Sequence, residues 1–206
     1  SKVDGAFGIC LYSVRLLLEL SAGNAHNMAI GRMVLRSIVE LSITLAYLRK
    51  QSDQVLWDQY RAHGAGQSAL AYLKLLDSES LPEYVDIDNL EELANEDGWF
   101  ETKDIKVGAW SNVNLRKMAE TAKVKDRYDK YYDWTSGYLH GQWSVVQDAM
   151  FTSCGHPLHR YHRIPLPTHR LPSVTSDCLA LVNIMLDDLS AMYPKISTRL
   201  RVHKKS

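Results

Sequence analysis

"MVLRSIVELSITLAYL", residues 33–48, is the stretch on which the fold turns. Sixteen residues carry only two charges, Arg36 and Glu40. The run is shorter than the roughly 20 residues that span a bilayer, and both charges lie inside it. A helix buried in a protein core is the reading that remains. At about 100° per residue, Arg32, Arg36 and Glu40 form one stripe, while Leu35, Ile38, Leu41, Leu45 and Leu48 occupy the other faces. Such a helix has no solvent face, and a buried charge is costly unless it is paired. The stripe is therefore either an Arg36–Glu40 pair that ties this helix to a neighbour or a preorganised cationic site for an anion.

Working outward, the chain reads as helical almost throughout. A first helix is expected over about 4–22, with Gly23 and Asn24 as stop residues, and a second over about 25–50. A third, about 53–77, has Ser52 or Asp53 as its N-cap. Pro82 breaks the connection that follows. Residues 78–104 hold ten acidic side chains against one lysine, the composition of a solvated flap or short helix. Helices over about 113–122, 125–150 and 174–193 complete an all-α bundle of six to seven helices. Between the last two lies "FTSCGHPLHRYHRIPLPTHRLPS" (151–173), whose four prolines exclude a helix. The tail, about 195–206, is basic. The expectation is a single helical domain over 1–206.

The bulk properties narrow the function classes. The 206 residues, 46% hydrophobic and 23% charged, suit a globular domain with a real core. Formal net charge is zero, so nucleic-acid binding would have to rest on a local patch rather than a global field. Three widely spaced cysteines, Cys10, Cys154 and Cys178, without a CxxC pair, read as reduced thiols. No secretory leader pattern is visible, and the expectation is a cytoplasmic protein with no membrane partner.

A second stretch, "DWTSGYLHGQW" (133–143), places Asp133, Ser136, Gly137 and His140 on one side of a helix otherwise rich in aromatic residues. Solvated helix faces carry Lys and Glu, whereas this one carries Ser, Gly and His. Gly137 and Gly141 each cost a helix about 1 kcal/mol against Ala, which implies a close neighbour, either backbone or ligand. The alternative is a core histidine hydrogen-bonded to the next helix. Arg36, Glu40 and His140 are expected to converge in space. In the 151–173 segment, Cys154, His156, His159 and His162 have ligand chemistry for zinc, but their spacing fits no standard finger. With Arg160, Arg163, His169 and Arg170 the segment reads instead as a basic patch, and Tyr161 adds a stacking surface for single-stranded RNA. A basic loop docking on the acidic 86–104 segment is the alternative. No cofactor and no metal are assigned.

Three motifs together carry a resemblance: Arg36, Ser37 and Glu40 in one helix, Trp57, Tyr60 and Arg61 in the next, and Tyr128, Tyr132, Ser136, His140 and Gly141 in a later one. The chain resembles, over about residues 10–195, a bacterial family of unknown function, DUF5677, and is distantly similar to HEPN domains. The HEPN likeness implies a helical bundle, often a homodimer, and in many members a metal-independent ribonuclease of toxin–antitoxin or phage-defence systems. It implies catalytic roles for His140 and Arg36, with Glu40 orienting Arg36 and Ser136 or Tyr132 adding a hydrogen bond. Arg61, Arg160, Tyr161 and Arg163 are the expected substrate contacts. RNA is the implied partner, with a cognate antitoxin or neighbouring domain as a second. HEPN catalytic helices carry an arginine a few residues before the histidine; here those positions hold Trp134 and Thr135, so Arg36 must supply the cation. The other function class is a non-catalytic interaction or regulatory module, in which the same residues form a buried network.

Overall fold

The computed structural model describes residues 1–95, 108–166 and 168–201. Eight helices occupy most of them: α1 (Lys2–Ala22), α2 (Ala29–Gln51), α3 (Gln54–Leu76), α4 (Ile87–Ala94), α5 (Leu115–Thr121), α6 (Lys125–Leu139), α7 (Trp143–Met150) and α8 (Thr175–Met192). A two-stranded antiparallel sheet, β1 (Phe151–Ser153) with β2 (Arg163–Pro165), is the only sheet among the described residues. The all-α expectation holds, with eight helices among the described residues where six to seven were expected.

The chain divides into two compact units, Ser1–Gly5 with Gln51–Asn114, and Ala6–Lys50 with Leu115–Ser206. In the first unit, Asp53 caps α3 by accepting a hydrogen bond from the Val55 amide at 2.9 Å. Trp57 is fully buried. A Cβ on Gly5 would lie 2.9 Å from the Trp57 ring, so only glycine lets the first helical turn approach it. Tyr60 meets Trp110 edge-on at 5.2 Å. The acidic stretch supplies α4, capped by the Asp86 side chain on the Asn89 amide. The part of the expected acidic flap beyond residue 95, and residues 202–206 of the basic tail, lie outside the described residues.

The second unit is the bundle expected from residues 33–48. α2 is its centre: Leu35, Ile38, Val39, Ile43, Leu45 and Leu48 are all buried, on every side of the helix. α1 turns one face inward, with Ile9, Cys10, Ser13, Leu17 and Leu20. The Cys10 thiol reaches the Met185 carbonyl of α8 at 3.6 Å, and Phe7 packs on Tyr193 just past the end of α8. α8 buries Leu181, Val182, Met185, Leu186 and Leu189, the face its periodicity marks. α1 is also the one helix among the described residues long and apolar enough to cross a membrane by length and composition.

Helix ends follow local chemistry. Asn24 takes a left-handed conformation (φ 47°), and the Ala25 amide bonds back to the Leu20 carbonyl at 3.1 Å, closing α1 where the sequence places its stop. Lys123 closes α5 in the same way, with the Val124 amide on the Ala119 carbonyl at 2.8 Å. The long helix expected over 125–150 is two helices. Gly141 (φ 59°) is left-handed, and the Gln142 amide bonds the Gly137 carbonyl at 3.1 Å, ending α6 at Leu139. The 151–173 segment, expected as a long ordered loop or an extended excursion rather than a helix, contains the β1–β2 hairpin, paired Phe151 with Pro165, Thr152 with Ile164 and Ser153 with Arg163.

Candidate functional site

The site grows from the α2 stripe. Arg36 is buried, 4% exposed, and its Nη1 lies 2.7 Å from Glu40 Oε1 one turn later. Glu40 itself is half-exposed, its side chain 45% open to solvent. The Arg36 guanidinium also lies over the Tyr132 ring of α6, 3.8 Å from its centroid. Tyr132 in turn stacks on Tyr128 at 4.3 Å, with the rings 16° from parallel. Two elements separated by about a hundred residues thus meet through one cation and two rings. Burial, with Tyr132 and Asp133 close by, raises the Tyr128 phenol above its ordinary range.

The guanidinium is incompletely used. Arg36 Nε and Nη1 are buried without a well-aligned hydrogen-bond acceptor among the described residues, so the contact with Glu40 is an ion pair of poor hydrogen-bond geometry. One turn earlier, Arg32 Nη2 donates to the Pro172 carbonyl at 2.6 Å while its Nη1 has no partner among the described residues. Arg127 of α6 is held against α2 by Ser42 Oγ at 2.8 Å, and burial lowers its pKa.

His140 stands apart from this cluster. It is the C-cap of α6, exposed, and its backbone amide reaches the Ser136 carbonyl at 3.3 Å. It makes none of the Arg36 contacts; Tyr132 lies eight residues earlier on α6, about 12 Å along a helix axis. Ser136 is half-buried. The sequence-expected group is therefore divided. Arg36 contacts both Glu40 and Tyr132, and His140 lies exposed at the C-terminal end of α6.

Around His140 the packing is close and the surface is aromatic. A Cβ on Gly137 would lie 2.9 Å from Val145 Cγ1 and 3.1 Å from Gln142 Oε1, so Gly137 lets α7 fold back on α6. Tyr138 and Val145 then share a small core with Ala149 and Leu171. The Tyr138 hydroxyl donates to Asp148, and burial together with that carboxylate raises its pKa far above the usual phenol range. On the outside, Trp134 is 51% and Trp143 64% exposed. Trp143 meets Phe151 edge-on at 6.0 Å, and Arg163 Nη1 donates to the Gln147 carbonyl at 3.2 Å, which docks β2 on α7. These exposed tryptophans were not singled out from sequence; their place in a helical pattern reads as core.

The remaining expected contacts lie elsewhere. Arg160 and Tyr161 are exposed at the hairpin tip, the guanidinium 5.5 Å from the ring centroid. Arg61 belongs to α3 in the first unit, where it faces Asp4 at 3.5 Å. A cleft of about 520 Å³ in the second unit is lined by Met28, Ile30, Met150, His169, Arg170 and Leu171, a size typical of small-ligand sites. Arg170 is steadied on its rim by Asn27 Oδ1 at 3.4 Å.

No curated protein and no solved structure matches the chain. A family of unknown function (DUF5677) matches residues 10–155, which include α2 with Arg36 and Glu40 and the whole of α6 and α7. The chain belongs to the DUF5677 family.

Proposed function

We propose that the protein acts on RNA, as a HEPN-like, metal-independent endoribonuclease of a cytoplasmic toxin–antitoxin or phage-defence system. The observation that carries the reading is the setting of His140. It is a solvent-open imidazole at a glycine-terminated helix end, three residues before the exposed Trp143. Exposed aromatic rings beside arginines are what single-stranded RNA needs: bases stack on rings, and guanidinium groups meet phosphates. Trp143, Arg163 and the hairpin residues Arg160 and Tyr161 supply both. The neutral net charge is compatible, because this positive surface is local.

In the reaction, His140 takes the proton of the ribose 2′-OH, whose oxygen attacks the adjacent phosphorus. The 5′-oxygen leaves as a hydroxyl, protonated by solvent water, His140 returns its proton to solvent, and the other product ends in a 2′,3′-cyclic phosphate. Arg36, stacked on Tyr132 and paired with Glu40, sets the position of α6, and so of His140, rather than touching the phosphate. A homodimer is part of the reading, supported by Leu11 and Leu18, which lie two turns apart on α1 and are 65% and 60% exposed.

The test of the RNA surface is fluorescence anisotropy with a labelled single-stranded RNA at two salt concentrations. Stacking of one base on an aromatic ring contributes about 1–3 kcal/mol, so Trp143→Ala should weaken binding roughly fivefold or more. Arg163→Ala should weaken it and flatten the salt dependence. RNA affinity unchanged in both variants would contradict the reading.

A second reading has its own observation. The Arg36 cation is consumed inside the fold by Glu40 and Tyr132, as in a structural network. On that reading the protein is a non-catalytic regulatory module, and an antitoxin or other protein partner occupies the aromatic surface.

A further inference from the structure

The hairpin tip brings together side chains that the RNA reading leaves unused. Beyond the Ser153–Arg163 pair the ladder continues, with the Cys154 amide on the His162 carbonyl at 2.9 Å. The loop then closes in two steps of three residues: the His159 amide bonds the His156 carbonyl at 3.0 Å, and the His162 amide bonds the His159 carbonyl at 2.9 Å. These turns place the His159 and His162 rings 5.4 Å apart. Cys154 Sγ lies 3.8 Å from His159 Nδ1. One ligand atom from each of Cys154, His159 and His162 falls within 4.8 Å of the others.

We infer that Cys154, His159 and His162 form a binding site for a divalent transition metal, with water as the fourth ligand. A thiolate and two imidazoles are the ligand types that zinc prefers. In a tetrahedral zinc site, with Zn–S about 2.3 Å and Zn–N about 2.0–2.1 Å, ligand atoms stand about 3.3–3.7 Å apart. A separation of up to 4.8 Å has to close by about 1.1–1.5 Å, within the reach of side chains on a short, largely exposed loop. His156 is not counted as a ligand. Its Nδ1 accepts the Leu158 amide at 3.2 Å, which commits that lone pair to the turn.

The setting gives the ion a task. Leu158 and Tyr161 are each 86% exposed, so no apolar core holds the tip. A metal joining the residue after β1 to the residue before β2 would cross-link the neck of the hairpin. It would also fix the His159–His162 turn that carries Arg160 and Tyr161.

The test uses the intact chain and cobalt(II) as the probe. One equivalent should give a thiolate-to-cobalt charge-transfer band with visible bands of four-coordinate intensity, and zinc should displace it. Cys154→Ser should abolish the charge-transfer band. His159→Ala and His162→Ala should each weaken zinc binding by at least ~100-fold, because even outer-shell partners of a metal site are worth about 10–100-fold. His156→Ala should cost clearly less than His159→Ala, because its Nδ1 is taken by the Leu158 amide and it contributes no bond to the metal. As a readout free of variants, zinc should slow alkylation of Cys154 in the native protein. Absence of the charge-transfer band, or unchanged zinc affinity in the Cys154/His159/His162 triple variant, would overturn the assignment; loss on His156→Ala equal to that of His159→Ala would overturn the three-ligand set.

Discussion

Arg36 and Tyr132 stand face to face, the guanidinium carbon 3.8 Å from the ring centroid, and this contact joins the central helix of the bundle to the helix that ends in His140. The pairing explains why a core helix keeps an arginine. Its charge is shared between a partly solvated carboxylate, Glu40, and the face of a ring that is itself stacked on Tyr128. A cation on an aromatic face contributes about 0.5–2 kcal/mol, depending on desolvation.

The asymmetry of the pair sets its mutational signature. Glu40 is half-exposed and can be hydrated when Arg36 is gone, whereas Arg36 is buried and cannot be when Glu40 is gone. Glu40→Gln should therefore destabilise the protein by about 1–2 kcal/mol, with the solvent screening at Glu40 keeping the value well below that of a fully buried pair. Arg36→Met, which keeps the volume over Tyr132, should cost no more than this. Chemical denaturation of both single variants and the double variant measures the coupling, and a double-mutant cycle of zero would show that the two residues act independently.

The two glycines of the α6–α7 turn should fail for different reasons. Gly141→Ala forces a side chain into a left-handed conformation at a cost of about 1–2 kcal/mol, without steric conflict, since no atom lies within 4 Å of its Cβ position. Gly137→Ala drives a Cβ into Val145 and Gln142 and should cost about 1–3 kcal/mol while displacing α7. Melting curves give the losses, and tryptophan fluorescence reports the displacement. A shift in Trp143 emission is expected for Gly137→Ala.

Thiol chemistry separates the three cysteines. Burial, with Asp188 nearby, raises Cys10 to about 11, and burial, with Asp177 nearby, raises Cys178 to about 12. Both should resist a thiol reagent in the native state, leaving Cys154 as the single reactive group. A folded-state pKa above the unfolded value stabilises the protein below the unfolded pKa, and that contribution is lost as pH rises toward the folded one. Stability should thus fall between about pH 9 and 12, and Cys178→Ala should flatten the fall. Two or more fast-reacting thiols at pH 8 would contradict the burial.

Much of this architecture is legible in sequence, because it depends on periodicity and caps. The all-round apolar pattern of residues 33–48 marks α2 as the buried centre, Asn24 marks the end of α1, and Asp53 the start of α3. The break at Gly141 was hidden because a glycine inside a continuing helical pattern reads as a cost rather than as a stop. Only its left-handed backbone and the Gln142–Gly137 hydrogen bond distinguish the two. Prolines mark 151–173 as a loop or extended excursion, but its strand pairing is hidden because three-residue strands leave no alternation to detect. At the site, the Arg36–Glu40 pair follows from spacing of four, but the Arg36–Tyr132 stack is a long-range contact that no local rule encodes.

Chelation should distinguish the hairpin from the reacting group. If the metal orders the tip, and the tip contacts RNA as proposed, excess EDTA should raise the RNA concentration needed for half-maximal cleavage and leave the rate at saturation unchanged. A rate at saturation that falls to zero in EDTA would move the chemistry from His140 to the ion.

The central claim, that His140 cleaves RNA through its 2′-OH, is tested most directly by end-group analysis of total RNA incubated with the protein in EDTA. The His140→Ala variant is assayed in parallel, and melting curves are recorded for both. Fragments ending in 2′,3′-cyclic phosphate are expected from the native protein and none from the variant. Melting temperatures should be nearly equal, because an exposed helix-cap side chain contributes little to the core. No cleavage by the native protein, or equal cleavage by the variant, would contradict it.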